Sequence, residues 1–117
     1  MGYIRHHSIL VTGFIESDTV KAHLKAIDIF GGLVSEINNM STNHYYSFVV
    51  FPDGSKEGWE ESEKGDANRA AFKAWLEQQR FEDHSSPYAW VEVQYGDENG
   101  DTRIIADSDA RKREEGE

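Results

Sequence analysis

The chain has 117 residues, no cysteine, and a formal charge of −10 from 12 Lys and Arg against 22 Asp and Glu. That length is one ordinary domain with room for a core that needs no staples. The missing cysteines exclude disulfides, zinc–thiolate sites, iron–sulfur clusters and thiol nucleophiles. The negative field disfavours direct contact with nucleic-acid phosphates and makes a basic protein partner, or mimicry of a nucleic-acid surface, more admissible; its plain consequence is solubility. With 3 Trp, 5 Tyr and 6 Phe, the chain still carries enough large apolar area to fold. No stretch has the length of a signal peptide's apolar region or of a membrane span, so a cytoplasmic setting in a bacterial host cell is expected. Met1-Gly2 does not open a myristoylation motif, because His6 stands where Ser or Thr is required.

Residues 8–14 (Ser-Ile-Leu-Val-Thr-Gly-Phe) form a β-rich run short enough to be buried on both faces. Ser17 and Asp18 offer N-cap oxygens for a helix over 18–30, with Val20, Leu24, Ile27 and Phe30 at helical spacing and Gly31-Gly32 as its stop. A second strand is expected over 33–37, a polar turn over 38–43, and a third strand over 44–51, where β-branched and aromatic residues are densest. The polar stretch 55–65 holds one large apolar residue, Trp59, and leads to Asp66 as the cap of a helix over 67–80. Its expected stripe is Ala67, Ala71, Phe72, Trp75 and Leu76, with Gln79 at its end. In 88–95, Ala89, Val91, Val93 and Tyr95 alternate with Trp90, Glu92 and Gln94, so one set faces the core and the other the opposite side. Asn99-Gly100 then predicts a type I′ hairpin into a last strand at 102–105.

This order predicts an α+β fold: an antiparallel sheet with two helices on one face, in the ferredoxin-like βαββαβ order, plus a C-terminal hairpin strand. The domain is expected over 1–106, with a flexible polar tail over 107–117.

Three places draw attention as sites. Arg5, His6 and His7 precede the first strand; adjacent histidines point to opposite faces and do not chelate one metal together. No HxH, HxxxH or HExxH spacing occurs, so no metal or other cofactor is expected. Asp53-Gly54-Ser55-Lys56-Glu57-Gly58-Trp59 is the most unusual loop; Ser55 and Lys56 suit an anion, although the Walker A spacing is absent. The acidic run 97–101 fails the EF-hand spacing and reads as a turn. Trp90 is expected on the sheet face away from the helices, where an exposed aromatic marks an interface; two copies are expected to pair through that face. No nucleophile–base–orienter set is legible.

Gly2-Tyr3-Ile4-Arg5-His6-His7, Pro52-Asp53-Gly54-Ser55-Lys56-Glu57-Gly58-Trp59 and Ala89-Trp90-Val91-Glu92-Val93-Gln94-Tyr95-Gly96-Asp97 together resemble small proteins encoded by bacteriophages and prophages. The resemblance runs over nearly the whole chain, implies a phage or bacterial setting, and brings no catalytic residue. The leading expectation is a non-catalytic accessory protein that binds a host protein or a small anionic ligand. Two alternatives stand beside it. One is a small enzyme or nucleotide-binding domain built on Arg5, His6, His7 and the 53–59 loop. The other is a structural homo-oligomer component.

Overall fold

Along β1 (His6–Gly13), Ile9 and Val11 are fully buried while Leu10 between them is 43% exposed. The strand thus has one buried face, not the two that its run of apolar residues suggests. The computed structural model describes residues 4–39 and 42–109. It is an α+β arrangement of two helices, α1 (Glu16–Phe30) and α2 (Glu60–Gln78), with an open five-stranded antiparallel sheet. The other strands are β2 (Asn38–Asn39), β3 (Tyr46–Val50), β4 (Tyr88–Tyr95) and β5 (Arg103–Asp107), in the order β2-β3-β1-β4-β5.

Both helices begin earlier than their best capping residues suggest. In α1 the cap position is Ile15, so Ser17 and Asp18 lie inside the first turn. Thr19 steadies that turn by donating its hydroxyl to the Ile15 carbonyl at 3.0 Å. In α2 the cap position is Trp59, and Asp66 lies in the helix rather than at its start. Glu60, Glu61 and Glu63 in the first turn suit the positive end of the helix dipole, so the acidic stretch is helical.

The strand expected over 33–37 is broken. A 3-10 turn, Gly31–Leu33, follows α1. Leu33 and Ser35 then exchange backbone bonds with Phe51 and Val49 beside β3. At Ser35 the hydroxyl, not a carbonyl, accepts the Val49 amide at 2.9 Å, and regular pairing resumes only at Asn38. Asn43 and His44 take left-handed backbone (φ 65° and 55°), which delays β3 to Tyr46.

The core joins Ile9 and Val11 of β1, Phe48 and Val50 of β3, and Tyr88 and Trp90 of β4 to Ala22, Ala26, Phe72 and Leu76 of the helices. Register explains this. Val11 lies opposite both Phe48 and Trp90, and Ile9 opposite Val50 and Glu92, so these residues share one face. The alternation in β4 is therefore the reverse of the expected one: Trp90, Glu92 and Gln94 point into the core side. Val91 and Val93 share the other face with Leu10 and Ser8. Tyr88 closes the core, its hydroxyl donating to the Asp18 carbonyl at 2.7 Å; burial, then the nearby Asp18 carboxylate, push its phenol up to about 12.

β4 and β5 are not joined by a two-residue type I′ turn. Of the Asn99-Gly100 pair only the glycine has positive φ, and the connection spans residues 96–102, with Gly96 also left-handed. Asp97 organises it, accepting the Asn99 amide at 2.6 Å on its side chain and the Gly100 amide at 3.0 Å on its carbonyl. Asp107 closes β5; of the tail expected over 107–117, residues 110–117 lie outside the described residues.

Candidate functional site

An isolated bridge between Ile4 and Lys56 carries the β1–β3 pairing outward and fixes the 53–59 loop beside the start of β1. The loop is tied down at Asp53, whose carboxylate accepts both the amide (2.9 Å) and the hydroxyl (2.7 Å) of Ser55. Burial works against that charge, but the two Ser55 bonds and the Arg69 guanidinium outweigh it and hold the carboxyl below its ordinary value. The other oxygen of Asp53 rests on α2 at Gly65, where an added Cβ would lie 2.7 Å from it. A glycine inside a helix costs about 1 kcal/mol relative to alanine. Here it admits the carboxylate.

Loop and helix border an open cavity of about 450 Å³, lined by Asp53 to Lys56, Trp59, Glu61, Lys64, Gly65 and Asn68. Trp59 is half exposed, with the Lys56 ammonium 5.0 Å from the centre of its ring. Lys56 and Lys64 stand against Glu61 and the engaged Asp53, so the cavity is not negative although the chain as a whole is. A second, smaller cavity of about 80 Å³ shares Asp53, Gly65 and Asn68 with the first and reaches inward to His7 and Arg69.

At that inner end lies a polar cluster between β1, β4 and α2. Glu92, whose side chain is only 4% exposed, is contacted by the Lys73 ammonium, by Arg69 Nε at 3.4 Å and by His7 Nδ1 at 3.6 Å. The last is an ion-pair distance, not a hydrogen bond. On its other side, His7 Nε2 lies 3.3 Å from Glu57 Oε1, and Glu57 also accepts the Ser62 hydroxyl at 3.1 Å. Arg69 pairs with Asp66 one turn away. Burial opposes the charge on Glu92, yet the His7 ring, the Lys73 ammonium and the Arg69 guanidinium outweigh it and hold the carboxyl below its ordinary value.

The structure thus divides the expected site residues. Lys56 and Trp59 line the outer cavity, and His7 lies at the inner one, linked to the loop through Glu57. His6 points the other way, against Tyr95 with ring centres 5.3 Å apart. Arg5 is committed to Asp97 through Nε (2.8 Å) and Nη2 (2.6 Å); the Asn99 amide, then this guanidinium, hold the Asp97 carboxyl down. Arg5, His6 and His7 thus have three separate surroundings. Trp90 is corrected outright: it is buried on the core side, with its indole N–H donating to Glu77 Oε2 at 3.1 Å, because the β1–β4 register turns it there.

Sequence reasoning missed Lys64, Asn68, Arg69, Lys73 and Glu92. Lys64 and Asn68, one turn apart, were readable once α2 was known to begin at Glu60. Among the described residues, no group of three His, Asp or Glu side chains is placed to hold a metal ion, and no helix is long and apolar enough to cross a membrane. Comparison of the chain with protein-family models, curated proteins and solved structures returned no match.

Proposed function

We propose that this chain is a non-catalytic binding module whose ligand is a small planar anion held in the cavity between the 53–59 loop and α2. The observation that carries the reading is the meeting of Lys56, Lys64 and the Trp59 ring around a cavity of about 450 Å³, within the size range of small-molecule sites. An indole face offers stacking area at little entropic cost, and two ammonium groups supply charge where the rest of the surface repels anions. The frame in this reading is ferredoxin-like, with both helices over one sheet face and β5 added at the edge. The setting is that of a phage-encoded accessory protein in the bacterial cytoplasm.

Trp59 reports on the site directly. Titration with nucleoside monophosphates and other planar anions is expected to quench its fluorescence and raise the thermal midpoint. A ligand at a hundred times its dissociation constant adds about 2.7 kcal/mol. Lys56→Glu with Lys64→Glu is expected to abolish both signals while leaving the fold intact. A panel that moves neither signal in the unaltered chain refutes the reading.

A further inference from the structure

Among the described residues, the sheet face away from the core is a broad surface whose centre is apolar. Leu10, Val49, Ala89, Val91, Val93 and Ile104 lie on it, placed there by the register of β3, β1, β4 and β5. Leu10 and Ile104 are 43% and 61% exposed. The hydroxyls among them are already satisfied within the chain: Ser8 donates to the Val50 carbonyl at 2.9 Å, and Thr12 and Ser47 bond each other at 2.7 Å. Covering these three hydroxyls leaves none of them unpaired, which is the usual cost of burying a polar surface; His6 and Tyr95, opposite each other at one end of the same face, belong at the rim of such a contact. The acidic side chains at this face, Asp107 and Asp109, stand at its edge beside β5, where Asp107 already accepts the Asp109 amide. In a chain with 29% charged residues, such depletion is the mark of an interface centre.

We infer that this face pairs with the same face of a second copy, sheet on sheet, about a twofold axis. Two chains of charge −10 repel each other over most of their surfaces, and the apolar face is where they can approach. Its apolar centre offers no charge to attract a basic or acidic partner, the two carboxylates standing only at its edge, and its nearest complement is a surface equally flat and apolar. Isologous pairing supplies one. Four strands spaced about 4.8 Å apart give a face roughly 20 by 20 Å, and two opposed faces remove on the order of 1,000 Å² from water, the threshold of a specific interface. A shallow recess of about 430 Å³ beside Leu10, Val91 and Ile104 gives the projecting isoleucine of the other copy a socket.

Sedimentation equilibrium of the full chain, up to about 1 mM, tests this. A monomer–dimer equilibrium is expected, tightening as salt screens the mutual repulsion. Ile104→Lys, at an exposed edge position, is expected to weaken the dimer at least about tenfold, and Leu10→Lys to do the same, with circular dichroism unchanged in both. Leu24→Lys, on the outer side of α1, leaves the equilibrium unaltered. A chain that stays monomeric throughout overturns the inference. So does a dimer that survives both face substitutions, one that fails with Leu24→Lys instead, or one that loosens as salt is added.

Discussion

The two helices are held to the sheet by different physics. α1 presents Thr19, Ala22 and Ala26, all fully buried, and so approaches closely. Gly13 belongs to the same contact, since an added Cβ would run into the Thr19 hydroxyl. Its larger residues Val20, Leu24 and Ile27 are left 40%, 61% and 42% exposed. α2 buries Phe72 and Leu76 in its second half, Phe72 stacked on Trp75 at 7° between planes, but Ser62, Gly65 and Arg69 in its first. There Arg69 and Lys73 join helix to sheet through the Glu92 carboxylate, with the His7 ring beside it. One helix is positioned by lack of volume, the other in part by paired charges, and the cavity opens beside the second. Close apolar contact tolerates little change. A polar seam can border a ligand site because its groups also have the option of bonding outward.

The largest effect is expected where this polar seam loses its centre. Glu92→Ala leaves Arg69 and Lys73 without their buried partner and should cost about 3 kcal/mol in denaturant unfolding. Replacing the trio together, with Glu92→Leu, Arg69→Met and Lys73→Met, should recover most of it. If the triple variant is as unstable as the single one, the cluster is not acting as a pairing device.

On the α1 side the sensitivity should be reversed between small and large residues. Ala26→Leu is expected to lose about 2 kcal/mol through overpacking, and Leu24→Ala no more than about 0.5 kcal/mol. Thermal melts at a fixed concentration separate the two. Equal losses would mean that the outer stripe of α1 is covered after all.

The smallest effect distinguishes the helices by pH. The folded chain holds Glu92 below its ordinary value of 4.5, so on acidification the unfolded chain takes up that proton first. The stability from this group is complete above about 4.5 and is lost as pH falls through the lower folded value. Glu92→Gln should flatten that limb of the stability curve, whereas Ala26→Leu should lower the whole curve without changing its slope.

Much of the fold was legible in the sequence. β3 and β4 stood out by composition, the two helices by apolar spacing, and the α+β class by element order. What failed has physical causes. Val20, Leu24 and Ile27 look like a buried stripe because periodicity counts large apolar residues, whereas α1 meets the sheet with its small ones. β4 has apolar residues on both sets of alternate positions, so alternation did not say which set faced the core. The β1 register decided it, and with it the place of Trp90. α2 began early because glutamates suit a helix start even without a side-chain cap. The loop at 53–59 was visible from its composition. Its neighbours Lys64 and Asn68 were hidden until that helix start was placed.

One irregularity lies at the edge of the sheet. The register of β4 against β5 shifts between Glu92 and Val93, a bulge in the strand at the sheet's rim. A regular rim would be a template for further strands, adding copy after copy into fibrils. A bulge there bends the strand and spoils the repeat of its donors and acceptors. Strand addition at the β5 edge, beside the apolar surface bearing Leu10 and Ile104, is thereby discouraged.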